Sequence, residues 1–221
     1  DKVEGIARKG AILAAITRLK QICNHPGRAP RDKSIKAERS GKVSRLLEMI
    51  EEISSEGDSA LIFSQYATFA EELAGMIEKQ GDTPVLLLTG QTPRKKREQM
   101  IEEFQASTTP IIFVISLKAG GTGLNLTKAT HVFHVDRWWN PAVEDQATDR
   151  TYRIGQKRNV QVHLMITAGT LEERIDLMNQ EKRTLAKEVL AHSDEYLTYL
   201  STKELLEIVS LRDSLFSRED A

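Results

Sequence analysis

Two arginines three residues apart, three glycines within four positions and two adjacent tryptophans are the residues of this 221-residue chain with the type and spacing to do chemistry. Arg150 and Arg153 lie in residues 145–156, DQATDRTYRIGQ. Residues three apart on a helix share one face, so the spacing predicts two guanidinium groups aimed the same way. Such a pair clamps a polyphosphate and stabilises the charge that develops on a transferred phosphoryl group. The same stretch also permits a plain surface ladder of ion pairs. Asp145 and Asp149 are four apart, and Asp149 lies four before Arg153.

The glycines lie in residues 116–127, SLKAGGTGLNLT, directly after an apolar run. Glycine allows close backbone approach, and clustered N–H groups ahead of a helix make an anion site. Ser116, Lys118 and Thr122 add side-chain donors for phosphate. The alternative is a tight turn with no ligand. The tryptophans lie in residues 136–141, DRWWNP. Neighbours in an extended segment point opposite ways, so one ring enters the core while the other faces a partner or groove; both being packing residues is the alternative.

Residues 132–136, VFHVD, resemble a Walker B strand, whose acid holds magnesium only beside a Walker A loop. The chain contains no Gly-x-x-x-x-Gly-Lys-[Ser/Thr]. Asp136 is therefore not expected to bind magnesium, and Gly41 with Lys42 is expected to open a helix. The histidines at 25, 131, 134, 163 and 192 show no metal-binding spacing, and none is read as a metal ligand. His131 and His134, three apart in a strand, face opposite sides. Cys23 is the single cysteine, which excludes an internal disulfide and points to an intracellular setting; it reads as a small buried helix residue.

These groups need elements to position them. Residues 6–24 read as a helix with Ile12, Ile16, Leu19 and Cys23 on one face, ended by Pro26. Residues 27–40 read as a basic linker or mobile loop. Ser40 reads as an N-cap, Val43, Leu46, Leu47, Ile50 and Ile53 as the apolar face of the next helix, and Gly57 with Asp58 as its stop. Strands are then expected over 60–63, 85–88, 111–115, 131–135 and 160–166. Helices are expected over 68–79, 93–104, 141–153 and 171–191, with a short one after the glycine turn. Strands this apolar between helices imply an open α/β fold, a parallel sheet with helices on both faces. Working residues then sit beyond the carboxyl ends of the strands. Beyond 193 the chain reads as one or two short helices docked by Leu205, Leu206 and Val209. The expected boundaries are 1–40, a helix and linker; 41–192, the α/β lobe; and 193–221, a helical tail.

Composition is that of a soluble globular domain, 40% apolar and 29% charged, with a net charge of −1. No apolar run is long enough to span a bilayer, so no membrane partner is expected. The chain starts at Asp1, which suggests a cut from a longer protein. Residues 1–45 hold twelve Lys/Arg against four Asp/Glu, a local net of +8, and residues 171–221 seven against twelve, a local net of −5. This permits a polyanion-binding face, or simply solvated helices.

Together these residues resemble the Swi/Snf-type superfamily-two DNA translocases over about residues 6–190. Residues 116–127 look like motif V and 146–156 like motif VI, with the Trp-Asn-Pro segment between them. Residues 61–66, LIFSQY, resemble motif IV; QICNHP at 21–26, SGK at 40–42 and LTG at 88–90 through Arg97 also fit. The resemblance implies a C-terminal RecA-like lobe with helical additions at both ends. ATP and Mg2+ would be bound mainly by an N-terminal RecA-like lobe of the same protein. It implies Arg150 and Arg153 as arginine fingers, with Gln146, Gly121, Gly123 and Asn125 at the ATP cleft. Ser64, Gln65, Ser116, Lys118 and Thr122 would face duplex DNA, with Trp139 as a coupling residue. The implied activity is translocation on double-stranded DNA without strand separation, with a protein on that DNA as a possible load.

Lys118 stands where the family often has Arg, which keeps a phosphate contact but not its bidentate geometry. The large insertions of eukaryotic remodelers are absent, which implies a compact bacterial or archaeal member. The implied location is cytoplasm or nucleoid in a prokaryote, or the nucleus in a eukaryote. The rival readings are a non-catalytic nucleic-acid or partner-binding module, and an RNA-directed helicase, against which Trp-Asn-Pro and Arg-Ile-Gly-Gln argue.

Overall fold

The structure is a computed structural model that describes residues 2–29, 34–117, 119, 124–153, 155–185 and 209–210. The chain divides into two compact units. One draws on residues 36–136 and 142–165, the other on 1–35, 137–141 and 166–221.

The first unit is built on five parallel strands: β1 (Ala60–Ser64), β2 (Val85–Leu88), β3 (Ile112–Ser116), β4 (His131–His134) and β5 (Gln161–Leu164), in the order β2-β3-β1-β4-β5. β1 is central, with Ala60 opposite both Ile112 and His131. Its residues alternate between two cores. Ala60 and Ile62 join Ile112, Val114 and Phe133 under α2 (Gly41–Ser55) and α3 (Ala67–Gln80). Leu61 and Phe63 join Phe113, Ile115 and Val132 on the other face, with Met100 and Phe104 of α4 (Arg94–Ala106) and Ala147 of α5 (Pro141–Thr148). Burial on both faces is why β1 and β3 are apolar at nearly every position.

α2 is closed at both ends by its own sequence. The Ser40 hydroxyl accepts from Val43 N–H at 3.2 Å. At the far end Asp58 N–H reaches Ile53 C=O and Gly57 N–H reaches Ser54 C=O, with Gly57 at φ +83°. That is a Schellman stop, which needs the left-handed residue glycine supplies.

In the second unit α1 (Lys2–Asn24) and α6 (Leu171–Leu185) lie with residues 137–141. Ile16, Trp139, Leu171 and Ile175 form its core, with Ile12, Leu19 and Met178 packed on it. The Thr167 hydroxyl donates to Cys23 C=O at 2.8 Å, and Asn179 Nδ2 to Trp138 C=O at 2.7 Å. Arg137, fully buried, pairs with Asp176 at 2.8 Å.

Several local expectations change. α5 ends at Thr148, so Arg150 and Arg153 follow the helix instead of sharing its face. Among the described residues no helix follows the glycine turn; Leu124, Asn125 and Leu126 have no regular secondary structure. The stretch after α1 holds 3-10 turns at Pro26–Arg28 and Ala37–Arg39. Cys23 is half-buried. α6 falls in the same compact unit as α1. Leu205 and Leu206 lie outside the described residues.

Candidate nucleotide and nucleic-acid site

The glycine segment leaves the sheet at the carboxyl end of β3, and the chain that follows it meets the segment after α5 just ahead of β4. Out of β3, Leu117 N–H donates to Ser64 C=O and Ala119 N–H to Ser116 C=O, both at 2.8 Å. The chain therefore turns sharply where a parallel sheet places its ligands. Ser116 is 2% exposed, and its hydroxyl has no partner among the described residues. A buried polar group left unpaired costs about 1–3 kcal/mol, which an incoming acceptor offsets.

Past α5 the chain makes a second turn. Thr151 donates to Thr148 C=O from both its N–H, at 2.9 Å, and its hydroxyl, at 2.6 Å. Thr148 is itself anchored to β4, its hydroxyl 2.9 Å from His134 Nε2. Leu126 N–H donates to Arg150 C=O at 3.0 Å. The Gln156 amide donates to Thr127 C=O and Ala129 C=O at 2.9 and 3.0 Å, while its oxygen accepts from Arg158 N–H. Gly155, at φ +111°, lets the chain bend ahead of Gln156.

Arg150 is 7% exposed, and its Nε has no hydrogen-bond partner among the described residues. Burial first, and then the like charge of Arg153, lowers its pKa below the ordinary arginine value. Arg153 is exposed, and no ion pair joins either arginine to a carboxylate among the described residues. The ladder that the spacing allowed is therefore not formed. Two unanswered guanidinium groups, one of them buried, make a place where an anion is stabilised.

The remaining candidates differ in where they fall. Gln146 and Asn125 are exposed, and Gln65 is half-buried. Gly121, Gly123, Lys118 and Thr122 lie outside the described residues. Ser64 is fully buried; its hydroxyl donates to Asp136 at 2.6 Å and accepts from Tyr66 N–H. Asp136 also accepts from Gln65 N–H at 3.0 Å. It clamps the ends of β1 and β4, where connections leave in opposite directions. Trp139 is 6% exposed, with Lys20 Nζ 5.4 Å from its ring centroid. Trp139 is part of the core of the α1–α6 unit, and Trp138 is the half-buried one, so the two neighbours divide between core and surface.

Sequence reasoning missed Gln156, Thr148 and the Ser64–Asp136 pair. Gln156 carried a signal, as the last residue of Arg-Ile-Gly-Gln. The other contacts join residues far apart in sequence and leave no local pattern.

An open parallel sheet with helices on both faces is the architecture of a RecA-like lobe. Comparison with known proteins narrows the class. Residues 41–155 match the helicase conserved C-terminal domain. The Bacillus subtilis putative ATP-dependent helicase/translocase YwqA is 47% identical over 209 residues, 94% of this chain and 22% of that protein. The Sulfolobus solfataricus SWI2/SNF2 ATPase core in complex with dsDNA superposes with a TM-score of 0.79 at 43% identity, over 94% of this chain and 43% of that one. The SWI2/SNF2 ATPase C-terminal domain of the same organism gives a TM-score of 0.78 at 40% identity, over 94% of this chain and 84% of that one. The chain belongs to the helicase C-terminal domain family, as the C-terminal lobe of a SWI2/SNF2-type ATPase. It spans about a fifth of the length of the curated relatives it matches.

Proposed function

We propose that this chain is the second motor lobe of a DNA-stimulated ATPase that translocates on double-stranded DNA and remodels protein–DNA complexes. ATP and its Mg2+ are held mainly by an N-terminal RecA-like lobe. Arg150 and Arg153 are the arginine fingers that close on the transferred phosphoryl group, beside Gln146, Gly121, Gly123 and Asn125. No magnesium ligand is assigned to this lobe, because the Asp136 carboxylate is engaged by Ser64 and Gln65.

The observation that carries the reading is the buried Arg150, with no carboxylate to answer it, beside Arg153. A fixed charge without a counter-ion is already arranged for the transition state, so it does not have to be reorganised when the phosphoryl group transfers. The stitching of Leu126 to Arg150 and of Gln156 to residues 127 and 129 supports coupling, because a shift in one motif segment pulls the other. On the DNA side the candidates are Gln65, the Ser116 hydroxyl, Lys118 and Thr122; Ser64 acts through Asp136, and Trp139 holds the α1–α6 unit. The likeness to a SWI2/SNF2 core in complex with dsDNA supports duplex DNA as the track. Such a motor works where chromosomal DNA lies, the cytoplasm or nucleoid of a prokaryote or a eukaryotic nucleus.

The test is steady-state ATP hydrolysis by the full-length parent protein, with and without duplex DNA, beside its Arg153→Ala variant. DNA is expected to stimulate turnover, and the variant to bind ATP but lose about 10³–10⁵-fold in kcat. Wild-type turnover in the variant would remove the arginine-finger role. Hydrolysis indifferent to DNA would leave a binding module.

A further inference from the structure

Asp136 is 1% exposed and stands at the carboxyl ends of β1 and β4, the switch point of the sheet. We infer that Asp136 is a positioning residue of the DNA face, whose carboxylate fixes the turn 64–66 and so aims Gln65 at the duplex. The inference rests on the proposed duplex-DNA reading and deepens it.

Three consecutive residues hang on this one side chain. Oδ2 takes the Ser64 hydroxyl at 2.6 Å, and Oδ1 takes Gln65 N–H at 3.0 Å. The Ser64 oxygen in turn accepts from Tyr66 N–H at 3.1 Å. Tyr66 precedes α3 and makes no side-chain cap of its own, so the start of that helix is set through Ser64. The Ser64 bond has the length of a charge-assisted O–H···O⁻ contact, about 2.5–2.7 Å. The carboxylate is held in place as well. Val135 N–H donates to Phe63 C=O at 3.1 Å, and Lys42 Nζ to Val135 C=O at 2.9 Å. The glycine segment is tied to the same turn, since Leu117 N–H donates to Ser64 C=O at 2.8 Å.

A carboxylate is the wrong charge for a surface that meets phosphates. Attraction to DNA therefore does not account for it, and its two donors do. Only a side chain with two acceptor oxygens holds a hydroxyl and a backbone N–H at once. An asparagine keeps one acceptor and puts a donor where the other was. The turn then loses an anchor while the site loses a negative charge. These two changes pull DNA affinity in opposite directions, and the sign of the effect separates positioning from electrostatics.

In the full-length parent protein, the duplex concentration giving half-maximal ATPase stimulation is measured beside KM for ATP and the melting temperature. Asp136→Asn is expected to raise that concentration about tenfold or more, the equivalent of one hydrogen bond to a charged group. KM for ATP is expected to stay unchanged. Gln65→Ala keeps the backbone N–H and is expected to raise the same concentration. In that background Asp136→Asn is expected to add little, because residues acting through one network are not additive. Ser64→Ala cuts one of the two bonds to the carboxylate and is expected to shift the concentration the same way, which keeps the test available should Asp136→Asn not fold. An unchanged or lower concentration in the folded variants would overturn the inference, even with a lower melting temperature, since the clamp would then only stabilise. Additive effects of Asp136→Asn and Gln65→Ala would overturn it too. A parent that duplex DNA does not stimulate overturns the proposed track and the inference with it. A stimulated parent with an indifferent Asp136→Asn overturns the inference alone, so the two failures are distinguishable.

Discussion

At the scale of single residues, the site depends on one backbone angle. Gly155 sits at φ +111°, and a Cβ there would meet nothing within 4 Å. Space is therefore not the constraint; an L side chain is disfavoured by the backbone itself. The bend sets the angle at which Gln156 reaches the carbonyls of Thr127 and Ala129, and it follows Arg153 by two residues. Gly155→Ala is expected to cost about 1–3 kcal/mol. Thermal unfolding is expected about 2–4 °C lower for each kcal/mol lost. Hydrolysis by the parent is expected to fall further than stability, because Arg153 is displaced with the turn. An unchanged melting temperature would show that the turn relaxes to a negative φ at no cost.

At the scale of elements, the edge pairing of β4 with β5 brings two histidines together. His131 Nδ1 lies 3.1 Å from His163 Nε2, so one ring donates and the other accepts. His163 also stacks on Phe133, ring centroids 4.4 Å apart. Burial lowers both pKa values below the ordinary histidine value, and for His131 it outweighs the attraction of Asp58, Glu56 and Glu52; the charge of Arg158 also lowers it. The unfolded chain therefore binds more protons than the folded one just below about pH 6.5. Stability is full above that pH and falls as the pH drops towards the folded values. His163→Phe keeps the stack and removes one titrating ring. Its unfolding free energy, measured from pH 7 to 5, is expected to lose up to about 1.4 kcal/mol of slope per pH unit. Identical slopes in the two proteins would mean that His163 titrates freely in the fold. Asp58 acts at lower pH: its hydrogen bond with Arg158 first, against burial, holds the carboxyl below its ordinary range. Its contribution is therefore lost as the pH falls through the folded value.

The same scale shows what was legible in the sequence. β1 to β4 announced themselves as apolar runs because the sheet is buried on both faces, and Ser40 and Gly57 marked the ends of α2. The end of α5 did not, because residues 149–153 continue a helical charge pattern while Thr148 and Thr151 turn the backbone through tertiary anchoring at His134. The arginine pair was legible by type and its geometry was not. Alternation predicted that the two tryptophans face opposite ways without saying which is the core; the structure buries Trp139.

At the scale of the whole molecule, the proposed function makes this chain one half of a catalytic arrangement. It carries unanswered arginines and, among the described residues, an unpartnered serine hydroxyl, and it has no Gly-x-x-x-x-Gly-Lys-[Ser/Thr] loop to cradle the β- and γ-phosphates. Arginine fingers act on a phosphoryl group that other residues have already positioned, and without that positioning two guanidinium groups only attract an anion loosely. The net charge of −1 adds no long-range pull on either ATP or DNA. The 221-residue chain alone is therefore expected to show no ATP turnover above buffer, with or without duplex DNA. Any DNA retention should be weak and should vanish as salt rises, since it rests on a few phosphate contacts whose counter-ions are released on binding. Sustained hydrolysis by the purified chain, abolished by Arg150→Ala, would locate a complete phosphate site within these residues and end the half-site reading. Absence of turnover here, with DNA-stimulated turnover in the full-length parent, is the pair of results the arrangement predicts.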